Sequence, residues 1–231
     1  MNIPKIKELF DLSHTAAGDY LSRFCYGHEA LEGLSDFLRA YGKTLGDDYE
    51  EVSPEVYIAK DAKIAPSALI EPPCVIGHRA EVRTGAFLRG SALIGDDAVV
   101  GNSTEIKNAI LFDGVQAPHY NYIGDSILGY KAHMGAGAVA SNFRADHENI
   151  TVRSDEEEIA TGRRKLGTML GDRAEIGCHT VLCPGSIVGR DSIVYPLVRL
   201  RGVVAEKKIV KGEGNITERK ESGAFTKGKQ I

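Results

Sequence analysis

The sequence predicts an all-β solenoid, a parallel β-helix of hexapeptide repeats with an N-terminal α-helical cap. From Val52 to Leu111 a large aliphatic residue recurs at every sixth position. The fifth position of each unit is mostly small, as at Ala62, Ala68 and Cys74. A period of six fits neither an α-helix nor an alternating strand, and it is typical of short strands joined by tight corners.

The repeat is interrupted twice and resumes each time. We therefore expect a β-helix over residues 50–205, with loop insertions at 112–122 and 143–168, followed by a C-terminal tail over 206–231. A solenoid accommodates insertions at its corners because the loop leaves and rejoins the stacked core without disturbing it. Loops held by a rigid scaffold are also frequent sites of function.

The second insertion alternates apolar and polar residues on both sides of residues 154–157. This pattern predicts a β-hairpin with an acidic tip. Two interpretations are open, an edge decoration or a lid at the rim of a binding site.

Residues 1–49 do not follow the hexad and form the predicted cap. An amphipathic pattern predicts a helix over His28–Leu45, and shorter helices are predicted over Pro4–Phe10 and Thr15–Phe24. Because an end of a solenoid exposes its core and its strand edges, we expect these helices to cover it.

Composition excludes several classes of function. A net charge of −4 over 231 residues argues against a nucleic-acid-binding surface. The sequence contains no apolar run long enough to span a membrane, and its start resembles no signal peptide, which predicts a cytoplasmic protein. The four cysteines lack the paired spacing of a metal site, and we expect neither a metal nor a disulfide.

The first interruption contains a histidine outside the hexad register, His119. A histidine in such a loop is usually a surface residue. Neutral imidazole is, however, the side chain best suited to general-base catalysis near pH 7, which makes His119 a candidate.

Two cations precede this segment at matching positions. If three units make one turn, Arg89 and Lys107 stack on adjacent turns, because 107 − 89 = 18. Stacked cations without an acidic partner fit a phosphate ligand. The alternative is a pair of solvated surface charges, with Glu105 nearby.

Three segments carry a resemblance to a known family. They read GNSTEIKNA from residue 101, QAPHYNYIGDSILG from residue 116 and MGAGAVASNF from residue 134. The sequence resembles the acetyltransferase half of the bifunctional UDP-N-acetylglucosamine pyrophosphorylase/glucosamine-1-phosphate acetyltransferase family. It is similar to stand-alone pyrophosphorylase-related proteins that lack the nucleotidyltransferase domain. The resemblance implies a left-handed β-helix that works as a homotrimer and acetylates an amino-sugar 1-phosphate, with acetyl-CoA as co-substrate.

The resemblance also implies roles for individual residues. His119 matches the family's catalytic base, and Ala136 and Cys178 match positions near acetyl-CoA. The residues that it places around the sugar phosphate are Arg89, Arg83, Glu105, Lys107, Tyr122, His133, Asn142 and Lys165. Of the two arginines, Arg89 matches the phosphate ligand by coil spacing and Arg83 matches it by local sequence.

The chain departs from the family pattern at two positions near the acceptor. His133 stands where the family has an asparagine that contacts the sugar, and Phe143 replaces a tyrosine. These departures leave the acceptor amino sugar open. They also favour an alternative function, a non-catalytic sugar-phosphate-binding or assembly protein on the same scaffold. A zinc carbonic anhydrase on this fold is excluded because no two histidines are five residues apart.

Overall fold

The chain forms a parallel β-helix in the computed structural model, which describes residues 1–219. The predicted fold class, a left-handed β-helix of hexapeptide repeats with N-terminal helices, is confirmed. Residues 220–231, the end of the predicted tail, lie outside the described residues.

Four short helices precede the strands. They are α1 (Ile6–Leu9), α2 (Gly18–Leu21), α3 (Gly27–Ala30) and α4 (Leu34–Gly42), with a 3₁₀ turn at Leu12–His14. The strands are β1 (Tyr49–Ser53), β2 (Val56–Ala59), β3 (Lys63–Ile64), β4 (Leu69–Glu71), β5 (Cys74–Ile76), β6 (Glu81–Val82), β7 (Phe87–Arg89), β8 (Ala92–Ile94), β9 (Val99–Asn102), β10 (Glu105–Leu111), β11 (Gln116–His119), β12 (Tyr122–Leu128), β13 (His133–Met134), β14 (Val139–Ala140), β15 (Thr151–Arg153), β16 (Glu158–Ala160), β17 (Thr168–Leu170), β18 (Glu175–Ile176), β19 (Val181–Leu182), β20 (Ser186–Val188), β21 (Ile193–Val194), β22 (Arg199–Leu200), β23 (Val203–Val204), β24 (Lys208–Gly212) and β25 (Asn215–Glu218).

The parallel strands form three lateral faces of a triangular prism. Face 1 consists of β3, β6, β9, β11, β13, β18, β21 and β24. Face 2 consists of β4, β7, the first halves of β10 and β12, β14, β19 and β22. Face 3 consists of β2, β5, β8, the second halves of β10 and β12, β17, β20 and β23. The inward aliphatic residues of the hexads fill the interior of this prism.

The register confirms that three six-residue sides make one turn. Cys74 pairs with Ala92 on the next turn, and 92 − 74 = 18. Farther along, the spacing falls to 17, as between Glu105 and Tyr122. Two sides are one residue short, each at the corner between faces 2 and 3.

The predicted loop insertion at 112–122 is therefore wrong. These residues form an ordinary side of the solenoid, in which β11 pairs with β9 and β13. Val115 and Ala117 are fully buried in the core. Because two sides are one residue short, the large aliphatic residues no longer recur at every sixth position there. A solenoid that is continuous in the structure therefore looks interrupted in the sequence.

The ends of the solenoid also differ from the prediction. Val52 is half exposed because β1 pairs antiparallel with β2 and precedes the parallel repeat. At the other end the repeat continues past residue 205, since β24 pairs in parallel with β21 and then antiparallel with β25. At each end an antiparallel strand covers one of the strand edges that a parallel repeat would leave open.

The N-terminal helices cover a lateral face and not an end. Helix α4 packs on β5, β8 and β10 of face 3, and outward residues such as Leu93 and Ile127 are buried. The predicted helix over His28–Leu45 is divided, because a turn at residues 31–33 separates α3 from α4. The helices are needed here because face 3 is apolar on its outer side.

The second insertion forms the predicted β-hairpin. β15 and β16 pair antiparallel, and residues 154–157 form the acidic turn. Ile150 and Val152 are buried, and the Ile3 N–H donates to Glu157 Oε2 at 2.8 Å. Because its tip is docked on the N-terminal segment, the hairpin has the contacts of an edge decoration.

Within residues 1–219, no helix has both the length and the apolar character to span a membrane. The cytoplasmic location stays a prediction.

Candidate active site

The structure brings four predicted site residues together on face 2. Glu105 and Tyr122 lie opposite each other on β10 and β12. Arg89 ends β7, whose register with β10 places it beside Lys107. All four side chains point outward, because they alternate with the buried Leu88, Ile106 and Ile123. We refer to Arg89, Glu105, Lys107 and Tyr122, with Asn142, as the face-2 cluster.

The two cations of this cluster are stacked as predicted, but the premise that they lack acidic partners is wrong. Arg89 forms an ion pair with Glu105 at 2.7 Å. The ammonium of Lys107 lies 3.8 Å from the carboxylate of Asp125. The side chains of Arg89 and Glu105 are 44% and 32% exposed, so that an incoming phosphate can compete with Glu105 for the Arg89 guanidinium.

A glycine forms the floor of the cluster. Gly124 is the register partner of Lys107, and a Cβ built on it would lie 2.6 Å from both the Tyr122 hydroxyl and Asn142 Nδ2. Only a residue without a side chain lets these two groups converge. Burial raises the pKa of the Tyr122 hydroxyl, as does nearby Glu105, while a hydrogen bond with Asn142 opposes the shift. The hydroxyl therefore stays protonated and can donate to an oxygen of a ligand.

Asp125 joins the cluster and was not predicted from the sequence. It stands at a shortened corner with a positive φ of 49° and is 2% exposed. Its carboxylate accepts hydrogen bonds from Asn108 Nδ2 at 2.8 Å and Asn142 Nδ2 at 2.6 Å. Together with the Lys107 contact, these bonds fix two predicted ligands of the sugar phosphate. The signal in the sequence is the 17-residue spacing, which places residues 108 and 125 one above the other.

His119 ends β11 at the edge between faces 1 and 2. Its side chain is exposed and forms no hydrogen bond within residues 1–219. Its carbonyl accepts from the Gly137 N–H at 3.0 Å, which fixes residues 136–137 beside it on the next turn. The Ala136 N–H makes no hydrogen bond to the described part of the chain. An imidazole and an unpaired N–H group thus lie next to each other.

His133 and Cys178 lie on later turns. His133 is on face 1, three residues before Ala136, and its Nδ1 is 2.9 Å from Glu175 Oε2. This contact holds the imidazole against the neighbouring strand. Cys178 is exposed, and the next residue, His179, donates its N–H to the Ala136 carbonyl at 2.9 Å. Ala136 and Cys178 therefore lie on successive turns along one edge.

Two predicted residues lie apart from the face-2 cluster. Arg83 follows β6 on face 1 and binds Glu81 through two hydrogen bonds of 3.0 and 3.1 Å. One side of the prism separates it from Arg89. Lys165 is exposed and forms a β-bridge with Phe143 at the base of the hairpin insertion, next to Asn142. Across residues 1–219, no group of three or more His, Cys, Asp or Glu side chains has the arrangement of a metal site.

Comparison with known proteins finds relatives among acetyltransferases. A bifunctional sugar-1-phosphate nucleotidylyltransferase/acetyltransferase of Sulfurisphaera tokodaii is 30% identical over 175 residues, which are 75% of this chain and 42% of that protein. A putative uncharacterized acetyltransferase of Escherichia coli, YaiX, is 34% identical over 149 residues, 64% of this chain and 65% of that protein. The bifunctional protein GlmU of Methanococcus maripaludis is 33% identical over 92 residues, 40% of this chain and 22% of that protein.

The resemblance predicted from the sequence is confirmed. No family model matches the chain. The chain spans 42% of the length of the first relative and 65% of the second.

Proposed function

We propose that the chain is an acetyl-CoA-dependent N-acetyltransferase that acts on an amino-sugar 1-phosphate such as glucosamine 1-phosphate. The observation that carries the proposal is the face-2 cluster. Two stacked cations, a protonated tyrosine and an amide converge there on a floor without a side chain. Cations suit a phosphate, and the neutral donors suit sugar hydroxyls. The relationship to a sugar-1-phosphate nucleotidylyltransferase/acetyltransferase supports the same substrate class.

The reaction assigns one role to each group beside the cluster. His119 accepts a proton from the amino group of the sugar, whose lone pair then attacks the thioester carbonyl carbon of acetyl-CoA. A C–N bond forms, the C–S bond breaks and CoA leaves as the thiolate. The unpaired Ala136 N–H stabilises the oxyanion of the tetrahedral intermediate. Acetyl-CoA is the co-substrate, and this step needs no metal.

The proposed site is shared between copies of the chain in a homotrimer. His119 and Lys107 lie on adjacent faces of the prism, whose side chains diverge from each other. In the proposed site, His119 comes from one copy and the face-2 cluster from another. The edge between these faces carries two exposed apolar residues with positive φ, Tyr120 at 65% exposure and Leu197 at 80%. Contact with a second copy would bury this edge and bring the two groups together.

The test is a panel of acceptors assayed for CoA release and for the acetylated product. The panel contains glucosamine 1-phosphate, other amino-sugar 1-phosphates and glucose 1-phosphate, which lacks the amine. We expect release of CoA with one or more of the amines and none with glucose 1-phosphate. An absence of release with every amino sugar would contradict the proposal.

The phosphate ligand is tested by comparing two arginines. Arg89→Ala should raise the KM for the sugar phosphate more than the KM for acetyl-CoA, by an amount equivalent to about 1–3 kcal/mol. Arg83→Ala is the matched variant, because Arg83 also forms an ion pair with a glutamate, on face 1. If Arg83→Ala gives the loss and Arg89→Ala does not, the assignment by coil spacing is wrong.

A second candidate is a non-catalytic protein that binds sugar phosphates. The contact of His133 with Glu175 favours it, since it gives a structural partner to a histidine beside the proposed acceptor site. This candidate predicts saturable binding of glucosamine 1-phosphate without CoA release.

A further inference from the structure

A buried asparagine lies behind the proposed catalytic histidine. Asn121 follows His119 by two residues at the edge between faces 1 and 2, and it is 3% exposed. The inward residues that correspond to it on neighbouring turns are small and fully buried: Ala86, Thr104, Ala138 and Thr180. On these five turns an amide occurs only where His119 lies. Because burying an amide costs free energy unless it is hydrogen-bonded, the partners of Asn121 indicate what it does.

The side chain of Asn121 joins two turns of the solenoid. Its Oδ1 accepts the N–H of His119 at 3.2 Å. Its Nδ2 donates to the carbonyls of Gly135 and Ala138 at 2.8 and 3.2 Å. These two carbonyls lie on either side of Ala136, whose N–H binds the oxyanion in the proposed reaction. One amide group therefore holds the backbone of the base and the backbone of the oxyanion site.

The corner that carries His119 depends on this side chain. On the next turn the Ala138 N–H closes the corner by donating to the Gly135 carbonyl at 3.1 Å. The corresponding N–H of Asn121 donates instead to the hydroxyl of Thr104 at 3.3 Å. In residues 1–219 no backbone hydrogen bond closes the His119 corner in the same way. The Asn121 amide thus replaces a bond that the backbone supplies elsewhere.

We propose that Asn121 is a positioning residue for acetyl transfer, which fixes His119 relative to Ala136. This inference rests on the proposed function. A base and an oxyanion donor act together only when both are correctly placed about the reacting carbonyl, and small displacements lower the rate strongly. Because Asn121 is buried, it acts through the backbone that it holds and not through contact with substrate.

The first test is the kinetics of Asn121→Ala. Alanine already fills the corresponding position at Ala86 and Ala138, so the solenoid accommodates it. We expect the kcat for CoA release to fall by roughly 10–100-fold, as for a misplaced catalytic group. The KM for the sugar phosphate should change little, because the cations of the face-2 cluster keep their partners.

The matched control is Ser192→Ala at the edge between faces 3 and 1. Ser192 is also fully buried. Its hydroxyl donates to the Ala205 carbonyl at 2.8 Å and accepts the Lys208 N–H at 3.0 Å. Both variants should lower the melting temperature, since each loses buried hydrogen bonds. Only Asn121→Ala should lower kcat, and an equal loss of kcat in Ser192→Ala would overturn the proposal.

A double-mutant cycle separates positioning from a general loss of stability. In a His119→Ala background, Asn121→Ala should lower the remaining rate by less than about two-fold, because no base is left to position. The same fold-loss in both backgrounds would show that Asn121 does not act through His119 and would overturn the proposal.

Amide hydrogen exchange tests the same link without turnover. Asn121→Ala should speed the exchange of the His119 N–H, because it removes the acceptor of that group. Ser192→Ala should leave this exchange unchanged. If the wild type released no CoA with any acceptor, the proposed function would fail, and exchange alone would then decide whether Asn121 holds His119. Unchanged exchange in Asn121→Ala would overturn the inference.

Discussion

At the scale of single residues, Gly124 is the most direct test of the face-2 cluster. Gly124→Ala should raise the KM for the sugar phosphate by roughly ten-fold, because the new methyl group displaces Tyr122 and Asn142. The KM for acetyl-CoA should change little. The measurement is steady-state kinetics with each substrate varied. Gly212→Ala is the control, since nothing lies within 4 Å of a Cβ there, and equal effects of the two variants would contradict the assignment.

Asp125 is expected to act as a positioning residue. Asp125→Asn replaces one of the two carboxylate oxygens with an NH2 donor, which then faces the amide of either Asn108 or Asn142 and should cost about 1–3 kcal/mol of stability. It should also raise the KM for the sugar phosphate, because Lys107 and Asn142 lose their shared partner. Stability is followed by denaturation and the KM by kinetics.

The control for this variant is Asp172→Asn. Asp172 is also buried, at 1% exposure, but it accepts backbone N–H groups of Asp11 and Tyr130 at a different corner. Asp172→Asn should lower the free energy of unfolding and leave the KM for the sugar phosphate unchanged. If Asp172→Asn raised the KM as much as Asp125→Asn does, Asp125 would have only a structural role.

The sequence predicted some residues of the candidate site and missed others, and the difference has a physical cause. Coil spacing stacked Arg89 and Lys107, and the resemblance added Tyr122, because both depend only on position along the chain. The sequence reasoning missed Asp125 and its contact with Lys107, and it gave Glu105 beside the two cations only as the alternative. The hydrogen bonds of Asp125 with Asn108 and Asn142 depend on the two shortened sides, and a strict six-residue count hides a side that is one residue short.

At the scale of elements, the N-terminal helices are expected to stabilise face 3. Leu38 of α4 is 1% exposed. Leu38→Ala should lower the free energy of unfolding by about 2–5 kcal/mol, the usual cost of a cavity in a core. The measurement is chemical denaturation of the full chain. Leu69→Ala on face 2, where the side chain is 56% exposed, should cost less than about 0.5 kcal/mol. Similar losses in both variants would contradict this packing.

The placement of these helices could not be predicted from the hexad. Their amphipathic pattern indicates an apolar partner but does not say which one. The outward residues of face 3, such as Val75, Leu93 and Met169, are apolar at positions where the other faces are more polar. That contrast between faces appears only once the register assigns each residue to a face.

At the scale of the whole molecule, the shared site predicts complementation between inactive variants. His119→Ala and Lys107→Ala should each be nearly inactive alone. Trimers assembled from equal amounts of both should recover about a quarter of the wild-type rate, because one interface in four then pairs an intact His119 with an intact Lys107. Light scattering should give the mass of a trimer. A monomeric mass, or no recovery on mixing, would contradict a site shared between copies.

The central claim is that His119 acts as the general base in acetyl transfer, and one measurement tests it most directly. It is the kcat for CoA release with the amino-sugar phosphate that the panel identifies, compared between the wild type and His119→Ala. We expect His119→Ala to lower kcat by roughly 10²–10⁴ and to leave the KM for acetyl-CoA nearly unchanged. His133→Ala, which removes the histidine already held by Glu175, should keep most of the rate. Loss of turnover in His133→Ala with full activity in His119→Ala would contradict the account.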